Sequence, residues 1–201
     1  MSVLPARERI GEVHRVTRET DVAVRLRLDG GVAGENRTGV PFLDHMLDQV
    51  AQHGRMELRV IARGDVEIDD HHTVEDVGIT LGQAIAQAVG DKTGIRRAGS
   101  FVMPMDEALV MASLDLSGRP FLGYALDVKG RRVGAFDCEL ALEFFRALAV
   151  NAQMTLHLNQ LAGENAHHVL EAGFKAFARA LDAATSLDPR VQGVPSTKGV
   201  L

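Results

Sequence analysis

Two copies of one motif, 96 residues apart, constrain the fold of this chain more than any other feature of its sequence. Residues 69–75 read DDHHTVE and residues 165–171 read NAHHVLE. Each copy is followed by apolar residues at helical spacing, which predicts an amphipathic helix after each motif. Asp69 and Asn165 stand where N-cap residues belong. The chain therefore reads as an internal duplication.

The likeness between the copies extends upstream of the two motifs. Alternating apolar residues predict strands, two of which end in glycine turns, and 3.6-residue spacing predicts helices. The glycine-rich stretch GVAGENRTG has room for one short strand. The strands are expected over residues 22–28, 56–62, 110–116, 121–128 and 154–158, and the upstream helices over residues 42–54 and 136–150.

This element order predicts an α+β protein of two similar halves, each a small sheet with helices on one face. The first half spans residues 9–93 and the second half residues 94–187, with a short connection expected over 91–104. Residues 188–201 are expected to form an extended C-terminal segment that contains the motif PSTKG.

Charge and composition exclude several classes of protein. The net charge is −5 and no basic block is present, which argues against a nucleic-acid partner. No apolar stretch approaches the roughly 20 residues that span a bilayer. The N-terminal residues carry charges where a secretory signal would be apolar. A single cysteine, Cys138, excludes an internal disulfide and indicates a cytoplasmic location.

The duplicated histidines have the spacing of metal ligands. His71 and Glu75 are four residues apart, as are His167 and Glu171, so each pair shares one helix face. The second histidine of each motif, His72 or His168, lies about 100° further round the helix. One such motif is typical of a polar helix start. Two matching copies predict two metal sites, in which the pair from one copy is completed by the single histidine from the other.

Two further histidines are candidates for a fourth ligand. His45 begins a predicted helix, and His157 lies on a strand face with Thr155 and Asn159. Alignment of the copies places His157 opposite Arg59 and His45 opposite Glu139. Imidazole with carboxylate favours a divalent ion of the Mn²⁺ type, since Zn²⁺ prefers four ligands. The predicted acceptors for the imidazole N–H groups are Asp44, Asp69, Asp70 and Asp76.

Basic residues and hydroxyls outside the motifs predict an anion site. The candidates for holding a phosphate are Arg96, Arg97, Arg119 and Lys198, together with Ser196 and Thr197. Glu19 and Glu107 occupy equivalent positions in the two copies. Each is interpreted either as a solvated strand end or as a contact to substrate hydroxyls.

The segments FLDHMLDQVAQHG, DDHHTVEDVGITLGQA, PMDEAL, DLSGRP, AGENAHHVLEA and PSTKGVL together resemble the imidazoleglycerol-phosphate dehydratases of histidine biosynthesis, from about Arg9 to Leu201. The resemblance implies a ribosomal-protein-S5-domain-2-like fold for each half. It also implies a homo-oligomer of 24 subunits with active sites at the subunit interfaces, a small phosphorylated substrate, and two Mn²⁺ ions per active site.

Site residues follow from the same resemblance. The implied metal ligands are His45, His71, His72, Glu75, His157, His167, His168 and Glu171. The implied substrate contacts are Glu19, Gln49, His53, Arg97, Arg119, Ser196 and Lys198, and Thr197 is expected beside them from the PSTKG motif alone. The catalytic carboxylates that we expect are Glu171 or Glu75, with Glu19 assisting.

The implied reaction dehydrates D-erythro-imidazole-glycerol phosphate to imidazole-acetol phosphate. We expect an imidazolate and diazafulvene-type intermediate stabilised by two Mn²⁺ ions, with a carboxylate moving the carbon-bound proton. Two other classes stay open at this point. A dinuclear hydrolase would bring its metals about 3.5–4 Å apart. A metal-dependent assembly protein would lose its quaternary structure in chelator and show no turnover.

Overall fold

The computed structural model describes residues 8–199, and the two halves contain the same order of main elements. The first half comprises β1 (Ile10–Val16), β2 (Thr20–Arg27), β3 (Ala33–Arg37), α1 (Pro41–Gly54), β4 (Glu57–Gly64) and α2 (His71–Val89). The second half comprises β5 (Ala98–Met105), β6 (Ala108–Asp115), β7 (Phe121–Ala125), the short strands β8 (Arg132–Val133) and β9 (Phe136–Asp137), α3 (Leu140–Asn151), β10 (Thr155–Ala162) and α4 (Ala166–Thr185).

Each half forms a four-stranded sheet of identical topology. Sheet 1 has the order β1-β2-β4-β3 and sheet 2 the order β5-β6-β10-β7. The first three strands of each sheet are antiparallel, and the last strand runs parallel to its neighbour. This repetition confirms the α+β fold of two duplicated halves.

The four long helices lie between the two sheets. Helices α1 and α2 pack on sheet 1 and α4 packs chiefly on sheet 2, while α2 contacts α3 and α1 contacts α4. Strand residues that face the helices are buried, and the buried residues of both halves form one continuous hydrophobic core. The contacts that join the halves therefore pass through the helix layer.

Two glycines allow the outermost strands to approach the helices closely. A Cβ atom at Gly11 would lie 1.9 Å from the backbone oxygen of Ala84 in α2, and one at Gly99 would lie 2.1 Å from that of Ala180 in α4. The two glycines occupy the second position of β1 and of β5. The duplication therefore extends to the packing of each sheet edge on its helix.

Several predicted boundaries were wrong. Residues 98–105 form β5 rather than a connection, and β1 was not predicted. Helix α3 begins at Leu140, because residues 136–137 pair with β8. The left-handed residues Arg55 and Gln153 end α1 and α3 equivalently, which aligns His45 with Glu143 rather than with Glu139. The match of His157 to Arg59 is confirmed, since each is the third residue of its strand.

The boundaries at residues 93 and 187 stay predictions, and the last two residues of the C-terminal segment lie outside the described part of the chain. Residues 188–199 contain turns and no helix or strand. Within the described chain, none of the helices is long and apolar enough to cross a bilayer.

Candidate metal centre

Three side chains from two helices converge at the start of α4. The Nε2 atoms of His45 and His167 lie 3.2 Å and 3.1 Å from the same carboxylate oxygen, Oε2 of Glu171. One potential ligand atom of each residue lies within 4.8 Å of the other two. We call this group the α4 cluster. Its two imidazoles and one carboxylate are a donor set that suits a divalent transition metal.

The second oxygen of the Glu171 carboxylate is held by an ammonium group. Lys175 Nζ lies 2.5 Å from Oε1, one helical turn further along α4. The Glu171 side chain is only 7% exposed, so this contact supplies the charge partner that a buried carboxylate needs. Oε2 remains directed at the two histidines.

Burial and these contacts act in opposite directions on the pKa of Glu171. Burial raises the pKa, but the hydrogen bonds donated by Lys175, His45 and His167 lower it by more, and the net shift is downward. Glu171 is therefore an anion at neutral pH, which is the form that binds a cation.

The cluster begins a polar stripe along the seam between α1 and α4. His45, Gln49 and His53 are spaced four residues apart on α1, so they share one face. Burial lowers the pKa of His53, and the nearby cations Lys175 and Arg179 lower it further. Gln49 and His53, which the resemblance implied as substrate contacts, are thus aligned behind the α4 cluster.

The equivalent motif on α2 is more open. His71 Nε2 lies 3.9 Å from Glu75 Oε2, and both side chains are nearly half exposed. Among residues 8–199, the α4 cluster is the only group of at least three such side chains with converging ligand atoms. Within one chain, the α2 residues are therefore not joined by a third ligand, and His157 and His168 stand apart from them.

The second histidine of each motif contacts a carboxylate through its Nδ1 atom. His72 Nδ1 lies 3.0 Å from Asp65 Oδ2, and His168 Nδ1 lies 2.7 Å from Glu107 Oε2. The Asp65 hydrogen bond raises the pKa of His72, and the Glu107 hydrogen bond raises that of His168. The same bond lowers the pKa of Glu107 to about 2.

The four aspartates predicted to accept these ring protons were the wrong ones. In the described chain, Asp44 accepts hydrogen bonds from Thr38, and Asp76 accepts from Arg15 and Thr20. Asp69 accepts from the backbone N–H of His71, and Asp70 makes no contact with an imidazole. All four are close to histidines in sequence, but Asp44 and Asp69 accept from backbone N–H groups near helix starts and Asp76 contacts residues of β1 and β2.

His157 lies on the exposed face of sheet 2. Its ring is 5.4 Å from that of Phe121 and lies over Gly123, where a Cβ atom would come within 2.4 Å of His157 Nδ1. The ring thus occupies space that any larger residue at position 123 would take. His157 is ordered by its neighbours in β7 without belonging to the α4 cluster.

The predicted phosphate contacts gather at one end of sheet 2. Arg97 donates to the Asp115 carboxylate and to Pro195 O, which ties the C-terminal segment to this end. Arg119 follows β6 at the same end, where its backbone oxygen accepts a hydrogen bond from Thr155. In the tied segment, Ser196 Oγ accepts from the Lys198 N–H, and the side chains of Thr197 and Lys198 are exposed.

This end of sheet 2 is far from the α4 cluster. Strand β10 starts at Thr155, beside Asp115, and finishes at Ala162, shortly before α4. Its 8 residues span roughly 25 Å at the usual strand rise. The candidate metal-binding end beside the α4 cluster and the candidate phosphate-binding end are therefore separated by about the length of one strand within a single chain.

Sequence reasoning missed three contact residues. Lys175 follows Glu171 at i+4, a spacing that does signal an ion pair. Asp65 and Glu107 gave no comparable signal for a histidine contact, since each reaches its imidazole across a loop or a turn. Glu19, the counterpart of Glu107, accepts no side-chain hydrogen bond within the described residues.

The chain matches proteins of one known family over most of its length. The sequence profile described as imidazoleglycerol-phosphate dehydratase matches residues 38–181. A protein of that name from Synechococcus sp. (strain WH7803) is 58% identical over 194 residues, which cover 96% of each chain. Imidazoleglycerol-phosphate dehydratase 1, chloroplastic, from Arabidopsis thaliana is 56% identical and matches over 96% of this chain and 72% of its own.

Solved structures show the same fold. The crystal structure of imidazoleglycerol-phosphate dehydratase from Staphylococcus aureus superposes with a TM-score of 0.81 at 38% identity, covering 89% of this chain and 99% of that one. The Pyrococcus furiosus protein, in complex with (S)-C348, gives a TM-score of 0.82 at 40% identity and covers 94% of this chain and 100% of its own.

Proposed function

From the premise that the chain belongs to the imidazoleglycerol-phosphate dehydratase family and is a hydro-lyase of histidine biosynthesis, we propose that it dehydrates imidazole-glycerol phosphate with Mn²⁺ at the α4 cluster and at the α2 motif. The observation that carries the proposal is the convergence of His45, His167 and Glu171 on one point. The α2 motif supplies a second imidazole and carboxylate pair of the same type.

The donor set fits a manganese ion. Each motif contributes imidazoles and a carboxylate, and neither contains a thiolate that would favour a softer metal. The only cysteine, Cys138, is buried and belongs to neither motif. The ligands proposed for the two ions are His45, His71, His72, Glu75, His157, His167, His168 and Glu171.

Divalent cations held by these ligands would supply positive charge that favours the anionic form of the azole ring of the substrate. An anionic ring pushes an electron pair toward the side chain and expels the hydroxyl on the adjacent carbon, which leaves a diazafulvene-type intermediate. Loss of the proton from the next carbon gives an enol, and its tautomerisation gives imidazole-acetol phosphate. Substrate thus equals product plus one water.

We propose that carboxylates of this chain move the protons. Glu171 is already ionised and held by Lys175, and Glu75 is partly exposed beside His71. Glu19 lies close enough to raise the pKa of His72 and has no hydrogen-bond donor of its own among the described side chains. We assign the carbon-bound proton to Glu171 or Glu75, with Glu19 assisting.

The separation of the two ends of sheet 2 supports an active site shared between subunits. We propose that the metal-binding end of one copy meets the phosphate-binding end of another, where Arg97, Arg119, Ser196, Thr197 and Lys198 fix the phosphate. A closed homo-oligomer of 24 subunits would repeat that contact. The exposed side chains of Phe121 and His157 on the outer face of sheet 2 provide surface for it.

We propose the cytoplasm as the location of this protein, because its cysteine usage fits a reducing compartment. The chain carries a single cysteine, which cannot form an internal disulfide.

The test measures turnover of imidazole-glycerol phosphate by the Mn²⁺-loaded protein and by two variants, His72→Ala and His168→Ala. The wild type is expected to release imidazole-acetol phosphate, and each variant to lose roughly 10²–10⁴-fold in kcat even with excess Mn²⁺. Near-wild-type rates in both variants would sink catalysis by two metal sites.

The same experiment reports on the subunit arrangement. Arg119→Ala belongs to the phosphate-binding end and His168→Ala to the metal-binding end. Co-expression of the two inactive variants is expected to restore part of the activity, because some interfaces then combine two intact ends. If co-expressed chains stay as inactive as the separate variants, the active site is not shared in this way.

A further inference from the structure

The two halves hold equivalent histidines with carboxylates from different elements. His72 and His168 are the second histidines of their motifs, and both use Nδ1 for the contact. Asp65 is the first residue after β4, whereas Glu107 lies in the turn between β5 and β6. The duplication therefore repeats the contact but not the residue that makes it.

The counterpart of each carboxylate explains the change. The first residue after β10 is Gly163, which has a φ of 114° and passes so close to Ala108 that a Cβ atom would lie 2.6 Å from its Cα. No carboxylate fits there. In the first half, the counterpart of Glu107 is Glu19, which makes no hydrogen bond to His72. The carboxylate that contacts His72 is that of Asp65.

Glu107 is fixed on both of its oxygens. Oε1 accepts hydrogen bonds from the backbone N–H groups of Asn165 at 3.0 Å and Glu164 at 3.4 Å, while Oε2 meets His168. Asp65 is largely buried, with its side chain 15% exposed, and both of its oxygens lie within 3.2 Å of His72 Nδ1. Each imidazole is therefore held by an acceptor that has little freedom to move.

Each contact also selects a tautomer of its histidine. A carboxylate only accepts hydrogen bonds, so Nδ1 carries the proton, and the lone pair available to a metal is on Nε2. On His168, the nearest acidic oxygen to Nε2 belongs to the exposed Asp106, at 3.7 Å, beyond hydrogen-bond distance. Nε2 of His168 therefore remains available as a ligand atom.

We infer that Asp65 and Glu107 are positioning residues, which fix the rings of His72 and His168 with Nε2 presented to a divalent metal. The inference rests on the proposed function, because it requires both histidines to be ligands. It also gives different roles to Glu107 and its counterpart Glu19. Glu107 orients a metal ligand in the second half, whereas Glu19 is free to contact substrate in the first half.

The experiment titrates Mn²⁺ into chelator-treated protein without substrate and measures free Mn²⁺ by its electron paramagnetic resonance signal. Asp65→Ala and Glu107→Ala are each expected to raise the dissociation constant of one class of site by roughly 10–100-fold. Asp65→Asn and Glu107→Gln should fall between these variants and the wild type, because an amide oxygen still accepts the ring proton. Saturating Mn²⁺ should then restore most of kcat in all four.

The matched control is Asp21→Ala. Asp21 Oδ1 lies 2.7 Å from His14 Nε2 on the exposed face of sheet 1, so the variant removes a carboxylate from a histidine that is not a proposed ligand. Its Mn²⁺ affinity should equal that of the wild type. Unchanged affinity in Asp65→Ala and Glu107→Ala, or an activity loss that saturating Mn²⁺ leaves in place, would overturn the inference. Failure of the wild type to bind Mn²⁺ would instead overturn the proposed function.

Discussion

The α4 and α2 motifs share the sequence HHxxE but differ in how completely one chain assembles them. The Glu171 side chain is 7% exposed and contacts His45, His167 and Lys175, whereas that of Glu75 is 46% exposed and lies 3.9 Å from His71. The side chains of the α4 cluster are brought together within one chain. The α2 motif presents its side chains at the surface.

Two substitutions between the copies account for the difference. The residue four positions after Glu75 is Ile79, where α4 has Lys175, so Glu75 lacks an ammonium partner on its own helix. The counterpart of His45 on α3 is Glu143, which is paired with Arg146 at 2.5 Å. The α2 motif thus lacks both contacts that fix Glu171. In the proposed shared active site, it is the motif that another subunit would complete.

We expect Glu171 to contribute more than Glu75 to the stability of the chelator-treated protein. This is the largest effect that we predict. Glu171→Gln leaves the Lys175 ammonium, which is 17% exposed, without its charge partner. The expected cost is about 1–3 kcal/mol. Glu75→Gln changes a half-exposed side chain and should stay within about 0.5 kcal/mol of the wild type. Thermal unfolding measures both.

Lys175→Met tests the same contact from the other side. The variant keeps most of the aliphatic length of the side chain and leaves the Glu171 carboxylate buried with the two histidines alone. Its thermal unfolding midpoint should therefore be lowered, as that of Glu171→Gln is. Equal midpoints for Glu171→Gln and Glu75→Gln would show that the α4 cluster is no better assembled than the α2 motif.

A second difference between the halves lies on the outer faces of the sheets. In sheet 1, Arg59 pairs with Glu35 across β3 and β4, with Nε 3.2 Å from Oε2. In sheet 2, the equivalent residues are His157 and Gly123. The surface ion pair between Arg59 and Glu35 in the first half thus corresponds, in the second half, to the proposed metal ligand His157 packed over Gly123.

Gly123→Ala should displace the His157 ring, because the added Cβ would lie 2.4 Å from Nδ1. Since misplacing a catalytic group by about 1 Å costs up to 10²-fold, we expect about a tenfold loss of kcat/KM. Glu35→Ala, the equivalent change in sheet 1, breaks an exposed ion pair and should leave kcat/KM unchanged. Equal activity in the two variants would remove His157 from the proposed site.

The duplication made most of this fold predictable from the sequence. Strong apolar periodicity marked α2, α4, β2 and β6, and Asn165 was correctly placed as an N-cap. Strand β5 was missed, because its glycine, serine and proline obscure the alternation that its burial shows. The start of α3 was predicted four residues too early, because residues 136–137 form the short strand β9 and α3 begins at Leu140.

The contacts within the site were less predictable, because they join residues that are distant in sequence. His45 and Glu171 are 126 residues apart, and His168 and Glu107 are 61 apart. Local spacing identifies which residue types share a helix face, but it does not show which loop meets that face. The nearby aspartates were therefore chosen over Asp65 and Glu107.

The helix starts provide the smallest test of the comparison. Asn165 accepts hydrogen bonds from the backbone N–H groups of His167 and His168, whereas Asp69 accepts one from that of His71. Asn165→Ala should therefore cost about 1 kcal/mol and Asp69→Ala about half as much in thermal unfolding of the chelator-treated protein. A larger loss in Asp69→Ala would mean that α2 depends on its first turn more than α4 does, contrary to the better assembly of the α4 motif.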